Sequence, residues 1–279
     1  MRASLSYIIV AGLAACAAHK PAPGTEGKRP VFPDAHTPDF ARKPYERFAR
    51  ADAVAIALRE WRLFDKLVDD DPPGTRPPRS ADEKPERWPG LWQRVGEYWW
   101  LGINANEPET AWTGKHDDFG IEFPASADGQ YAWSAAFVSY VMRIAGAGPR
   151  FPYSINHSDY INVAKQMADR QTAGWAIVAE RPNAYAPQPG DLICLGRGYG
   201  GKLSYDDLPA SRFPGHCDIV VQAVPGMLTV IGGNVDDAVT MKHVPTTPDG
   251  RLAAPDGIVI DTRYPWMVVV RVLYDALVS

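Results

Sequence analysis

Apolar residues recur at helical spacing in four stretches of the N-terminal part of the chain. Val54, Leu58 and Trp61 share one face in the first stretch, and Phe137 and Val141 share one in the third. Residues three, four and seven positions apart lie on the same side of an α-helix. The pattern therefore predicts helices at 45–68, from 91 to about 101, at 134–145 and at 157–171. Gly146 follows the third helix where a C-terminal cap is expected.

After Trp175 the pattern changes to short apolar runs, rich in β-branched residues, that are separated by turn residues. These runs predict strands at 191–195, 218–224, 228–231, 239–244 and 267–273. The dipeptide Pro225-Gly226 predicts a hairpin turn between the second and third of them. Helices that precede a block of strands are typical of an α+β domain with an antiparallel sheet.

The N-terminus has the features of a signal peptide. A positive charge at Arg2 precedes an apolar run over 5–13, and Ala14-Ala15 stand before Cys16. The run is well short of the ~20 residues that span a bilayer. Residues 13–16 (Leu-Ala-Ala-Cys) resemble the bacterial lipobox, which implies cleavage before Cys16 and a lipid on its sulfur. Ala17, the residue after this cysteine, then favours sorting of the lipoprotein to the periplasmic face of the outer membrane. The alternative is an ordinary signal peptide with an incidental cysteine.

These features divide the chain into a signal peptide (1–15), a lipidated N-terminus with a Pro-rich flexible tether (16–44), a helical extension with a charged loop (45–90) and an α+β domain (91–279). The hydrophobic content of 46% is ample for a buried core. A net charge of −4 supplies no basic field, so nucleic acid is not an expected partner.

Neither a metal nor a cofactor is expected from the motifs. No paired His or Cys has the spacing of zinc ligands. The Gly-rich segment at 196–201 is not followed by a helical pattern, so it predicts a loop rather than a phosphate site. Cys194 and Cys217 fall in strands expected to be neighbours, where either a disulfide bridge or buried thiols would fit.

Four short segments carry the candidate chemistry. They are 132–138 (Ala-Trp-Ser-Ala-Ala-Phe-Val), 189–193 (Pro-Gly-Asp-Leu-Ile), 215–220 (Gly-His-Cys-Asp-Ile-Val) and 231–234 (Ile-Gly-Gly-Asn). In this order they place a hydroxyl at a helix start, an Asp entering a strand, an imidazole entering the next strand and an amide at the end of the one after.

This set resembles the papain-like superfamily of bacterial cell-wall hydrolases, the NlpC-type and CHAP-type amidases and peptidases. It is closest to a bacterial domain family of unknown function in which Ser stands at the position of the catalytic Cys. The resemblance covers about residues 92–273 and implies a papain-like core. It implies Ser134 as nucleophile, His216 as base and Asn234 as the group that orients the imidazole. Trp133, His157 and Asp191 are candidates for lining the cleft.

Two departures from the family pattern matter. A helix N-terminus can hold a Cys as thiolate, whereas a Ser hydroxyl must lose its proton to a base during attack. The position two residues before Asn234 is Gly232, where CHAP-type proteins often have a Glu, so a carboxylate orienter is missing. An active enzyme is therefore expected to be slow.

Each candidate also has a structural interpretation. Ser134 is a favoured helix cap, Asn234 a turn residue, and Asp191 an acceptor of backbone hydrogen bonds. His157 would be a capping or loop residue, and Trp133 a core aromatic.

Two hypotheses follow: a lipid-anchored envelope hydrolase acting on peptidoglycan peptides through Ser134, His216 and Asn234, or an inactive protein of the same fold that binds peptidoglycan or a partner protein. Acyl transfer to or from a lipid is a third, weaker alternative. The oligomeric state stays open.

Overall fold

The computed structural model describes residues 47–276. Its helices are α1 (Arg50–Leu63), α2 (Leu91–Gly102), α3 (Ser134–Ile144) and α4 (His157–Ala168). Its strands are β1 (Ile177–Glu180), β2 (Leu192–Gly196), β3 (Gly215–Val224), β4 (Met227–Val235), β5 (Ala238–Pro245) and β6 (Val268–Val272). The predicted signal peptide, Cys16 and the tether lie outside the described residues.

The strands form one antiparallel sheet in the order β1-β6-β2-β3-β4-β5. This confirms the α+β class with an antiparallel sheet. The hairpin at Pro225-Gly226 is also confirmed, since β3 ends and β4 begins on either side of it and Gly226 has a φ of 81°. Strand β1 was not predicted, because it is a four-residue edge strand that buries only alternate residues.

Helix α3 packs on one face of the sheet and is buried throughout from Ser134 to Met142. Phe137 belongs to the same core as the sheet residues Cys217 and Ile219. The opposite face carries a second core, built around Val220 and Val230. Because neighbouring strand residues point to opposite faces, β3 alternates between the two cores.

Two helices are shorter than predicted, for the same backbone reason. The prediction extended the first helix to 68, but α1 ends at Leu63, and Asp65 and Lys66 both have a φ of 57°. The prediction extended the fourth helix to 171, but α4 ends at Ala168, and Arg170 has a φ of 58°. A residue with positive φ cannot continue a right-handed helix.

Cys194 and Cys217 face each other across β2 and β3 and form a disulfide bond. The structure thus decides between the bridge and the buried thiols in favour of the bridge. Of the helices within 47–276, none is both long and apolar enough to cross a membrane.

Candidate functional site

The hydroxyl of Ser134 is hydrogen-bonded to an imidazole, but that imidazole belongs to His157. Ser134 is the first residue of α3 and His157 is the first residue of α4. The Ser134 Oγ lies 2.6 Å from the His157 Nε2. Two helix N-termini therefore meet at this pair, and the partial positive charge of each favours a negative group there.

His157 is held from its other side by Tyr160, one turn further along α4, whose hydroxyl is hydrogen-bonded to Nδ1. Burial lowers the pKa of His157 well below its usual value, and the neighbouring His216 adds to the effect. The imidazole is therefore neutral at neutral pH. If Nδ1–H donates to Tyr160, the Nε2 lone pair is free to accept the Ser134 proton.

His216 belongs to a second cluster of polar side chains, together with Asp218 and Lys242. Its Nε2 lies 2.8 Å from the Asp218 Oδ1, and the Lys242 Nζ lies 2.7 Å from the Asp218 Oδ2. All three side chains are buried. Burial opposes ionisation of Asp218, but Lys242 and His216 outweigh it and hold the pKa of Asp218 well below its usual value.

The two imidazoles are adjacent, with ring centroids 5.5 Å apart. Burial lowers the pKa of His216 to about 4, against the opposing effect of Asp218. A neutral His216 that donates from Nε2 to Asp218 has an unprotonated Nδ1, and within the described residues this buried Nδ1 has no hydrogen-bond partner. Both imidazoles are thus neutral bases at neutral pH.

The structure does not bring the predicted Ser134, His216 and Asn234 together as a hydrogen-bonded set. Among the hydrogen bonds described for 47–276, Ser134 pairs with His157 and His216 pairs with Asp218. Asn234 has a φ of 54°, lies where the pairing of β4 with β5 shifts register, and lines a cavity beside Arg197 and Tyr264. Asp218, and not Asn234, is therefore the partner of His216.

Position 232, where CHAP-type proteins often have a Glu, is a glycine. Asp218 on β3 provides the carboxylate instead, and Gly232 leaves the space that this carboxylate occupies. A Cβ at Gly232 would lie 2.0 Å from the Asp218 Oδ1 and 3.0 Å from the His216 Nε2. A Cβ at Gly233 would lie 2.5 Å from the Phe137 Cβ on the other face. The Gly-Gly pair thus lets β4 pass between α3 and the His216–Asp218 pair.

Asp191 has the structural role that was its alternative interpretation. It is fully buried, and its carboxylate accepts hydrogen bonds from the backbone N–H groups of Gln188 and Val272 and from the Tyr185 hydroxyl. Burial raises the pKa of this carboxyl despite those donors. It fixes the start of β2 against β6.

Trp133 is a core residue at the start of α3. It is 1% exposed, and its Nε1 donates to the Glu86 Oε2 at 2.6 Å. Burial raises the pKa of Glu86 to about 8. The position of Ser134 is therefore tied to the segment that precedes α2.

Glu86, Asp128 and Asp237 place carboxylate oxygens within 4.8 Å of one another, which is the geometry of a small cation site. Two basic side chains already lie among them: the Lys84 Nζ is 2.7 Å from Asp128, and Arg87 is 2.8 Å from the same carboxylate. We assign no metal to the cluster, because these cations already balance most of its charge.

Sequence reasoning missed Asp218, Lys242 and Tyr160. Asp218 stands two residues after His216 and so shares its face of β3. Lys242 is a lone charge within the apolar run of β5, and Tyr160 is three residues after His157 on α4. These spacings were visible, but the sequence did not show which imidazole meets Ser134.

The sequence of residues 86–272 matches the bacterial family DUF2272, described as "Uncharacterized protein conserved in bacteria". The match covers more than half of the chain, which therefore belongs to this family. No curated protein and no solved structure is similar enough to match.

Proposed function

We propose that the protein is a serine-dependent hydrolase with a papain-like core that cleaves amide bonds in peptidoglycan peptides. We propose further that it acts in the bacterial envelope, anchored by a lipid on Cys16. The observation that carries the enzymatic proposal is the 2.6 Å hydrogen bond between the Ser134 Oγ at a helix N-terminus and the Nε2 of a buried, neutral imidazole. A nucleophile within hydrogen-bond reach of its base is the arrangement that acyl transfer requires.

In the proposed reaction the Ser134 oxygen attacks the amide carbonyl carbon while its proton passes to the His157 Nε2. The tetrahedral intermediate collapses when that proton passes on to the leaving nitrogen, and an ester to Ser134 remains. Water then attacks the ester with the same imidazole as base, which releases the acid and restores the hydroxyl. This mechanism requires the tautomer in which the His157 Nδ1–H donates to the Tyr160 hydroxyl, and that hydrogen bond holds the ring in place.

The first turn of α3 supplies the groups for the negative oxygen of the intermediate. The backbone N–H groups at the start of an α-helix have no partner within the helix. They lie beside Ser134, and the helix dipole has its positive end there.

His216 is the alternative base for the same hydroxyl. Its ring adjoins that of His157, its Nδ1 has no hydrogen-bond partner in the described part of the chain, and Asp218 fixes its tautomer. We favour His157 because its contact with Ser134 is direct.

One observation favours a second function, that of a non-catalytic binding protein. The residues Ser134, His157 and His216 are 7%, 3% and 1% exposed. A substrate carbonyl reaches Ser134 only if the covering residues move, whereas a protein that binds its partner through another surface needs no such movement. In that case the Ser134–His157 hydrogen bond serves to join α3 to α4.

The test combines a fluorophosphonate probe with digestion of purified muropeptides. The enzyme predicts that Ser134→Ala abolishes both labelling and digestion. Ser139→Ala is the matched control, because Ser139 is buried on the same helix and, within 47–276, its hydroxyl is bonded to the Ser154 backbone alone. Loss of labelling in His157→Gln with retention in His216→Gln identifies the base. Neither labelling nor digestion, with binding to intact murein, would favour the binding protein.

A further inference from the structure

A cavity of about 910 Å³ lies away from Ser134, between the C-terminal half of α3 and the chain that leads into α4. Arg143 and Tyr153 line it on one side, and Glu109 and Trp175 also contribute to its wall. Its volume is in the range of pockets that hold small organic ligands. The charges in its wall indicate what kind of ligand fits.

Arg143 contributes a cation that no carboxylate neutralises. Among residues 47–276, no Asp or Glu influences the pKa of Arg143, which burial lowers, and its buried Nε has no hydrogen-bond partner. Its other contacts are long: Nη2 lies 3.4 Å from the Gly102 carbonyl and 3.3 Å from the Asn104 side chain. The guanidinium lies 3.7 Å from the centre of the Tyr153 ring, which fixes its orientation.

Glu109 contributes an anion in the wall of the same cavity. Its Oε2 is buried and, among the described residues, has no hydrogen-bond donor. The neighbouring Arg212 donates its hydrogen bond to the Asp159 carboxylate at 2.8 Å and acts on Glu109 through charge alone. A buried carboxylate oxygen without a donor costs free energy, just as a buried donor without an acceptor does.

We propose that this cavity binds a zwitterion, an amino acid or short peptide, whose carboxylate pairs with Arg143 and whose ammonium pairs with Glu109. Arg143 and Glu109 are both half-buried, so the ligand meets their accessible atoms, the guanidinium Nη atoms and the second carboxylate oxygen. A carboxylate accepts hydrogen bonds from a guanidinium in the favourable charge-assisted geometry. The apolar parts of Tyr153 and Trp175 pack against its side chains.

This proposal does not depend on the hydrolase. Arg143 is nine residues after Ser134 on α3, which corresponds to roughly 13 Å along the helix axis. The Ser134–His157 pair does not contribute to the cavity wall described above. Binding at the cavity and reaction at Ser134 are therefore separately measurable.

The test titrates the purified protein with alanylalanine by calorimetry and compares three blocked forms: N-acetylated, C-amidated, and blocked at both ends. The free dipeptide is expected to bind, with affinity at least tenfold lower for either single block. Arg143→Gln is expected to lower the affinity for the free and N-acetylated dipeptides at least tenfold and to leave the affinity for the C-amidated dipeptide unchanged. Glu109→Gln is expected to lower the affinity for the free and C-amidated dipeptides and to leave the affinity for the N-acetylated dipeptide unchanged.

Arg62→Gln and Asp52→Asn change exposed charges of α1, outside the cavity wall, and should bind the free dipeptide as the wild type does. The blocked ligands test the proposal on the wild-type protein, so it does not depend on the variants folding. No binding at millimolar concentration, or equal affinity for free and doubly blocked dipeptide, would overturn it. Fluorophosphonate labelling of Ser134 should be unchanged in Arg143→Gln, which separates this result from the fate of the proposed hydrolase.

Discussion

The Lys242 Nζ lies 2.7 Å from the Asp218 Oδ2, although both side chains are almost completely buried. The pair links β5 to β3 across β4, on the face of the sheet that carries His216. Lys242 also lies over the rings of Tyr264 and Trp266. The orientation of His216 thus depends on a charge two strands away.

We expect Lys242→Met to lower the free energy of unfolding by about 3–5 kcal/mol, because Asp218 would remain as a buried charge without its cation. Urea unfolding at neutral pH measures the loss. The double variant Lys242→Met with Asp218→Asn should recover much of it, since both charges are then gone. A single variant as stable as wild type would contradict the assignment of an ion pair.

Gly232→Ala should destabilise the protein and disturb the His216–Asp218 contact, because the added Cβ would overlap the Asp218 carboxylate. We expect a loss of about 1–3 kcal/mol, the usual cost of overpacking a core. Thermal unfolding measures it, and Gly129→Ala is the control, since a Cβ there has no neighbour within 4 Å. Equal melting temperatures for the two variants would refute the close approach.

The free energy of unfolding should depend on pH because His216 binds its proton less tightly in the folded protein than in the unfolded chain. Its pKa is about 4 in the folded state and near 6.5 when unfolded. Between these values the unfolded chain binds a proton that the folded chain does not. Stability therefore falls as pH drops from 6.5 to 4, by up to about 1.4 kcal/mol per pH unit. Urea unfolding of His216→Gln over this range should show a smaller fall than wild type, and an unchanged slope would count against the assignment.

Glu86 should give stability the opposite pH dependence, with stability falling as pH rises. Its pKa of about 8 exceeds the unfolded value, so the folded chain keeps a proton that the unfolded chain loses as pH rises from about 4.5 to 8. The contribution of Glu86 to the free energy of unfolding is therefore largest below about pH 4.5 and decreases as pH rises to about 8. Glu86→Gln mimics the protonated form, so its stability relative to wild type should increase between pH 5 and 8 and then level off. A constant difference would show that Glu86 is ionised in the folded protein.

Tyr160→Phe tests the catalytic orientation of His157. The variant removes the hydroxyl bonded to Nδ1 and leaves the ring packing intact. Under the proposed mechanism, fluorophosphonate labelling of Ser134 should slow by about tenfold or more, since the ring is no longer held in the productive tautomer. Tyr153→Phe is the control, because its hydroxyl bonds to the Gly148 carbonyl instead. Equal labelling rates in the two variants would exclude an orienting role for Tyr160.

Local patterns were enough to predict the four helices and five of the six strands. The apolar face of α3 and the Pro225-Gly226 turn depend on residues close together in the chain, which is why they could be recognised. The edge strand β1 acquires its role from pairing with β6, nearly a hundred residues later, and no local pattern encodes that pairing.

The site was harder to predict because imidazoles from two different elements meet near one hydroxyl. His157 and His216 both follow plausible start signals, of a helix and of a strand. The choice between them depends on where α4 packs relative to α3, which is a tertiary property. Asp218 could have been predicted from its spacing, but the family pattern places the orienting group on β4.

Ser134 and Arg143 stand near opposite ends of the deeply packed helix α3. Their separation is a property of helix geometry, and mobile loops do not set it. Because α3 is buried from Ser134 to Met142, a ligand in the cavity does not follow the helix surface to the hydroxyl. The rigid helix instead keeps the two groups at a constant separation, so occupation of one end does not change the distance to the other.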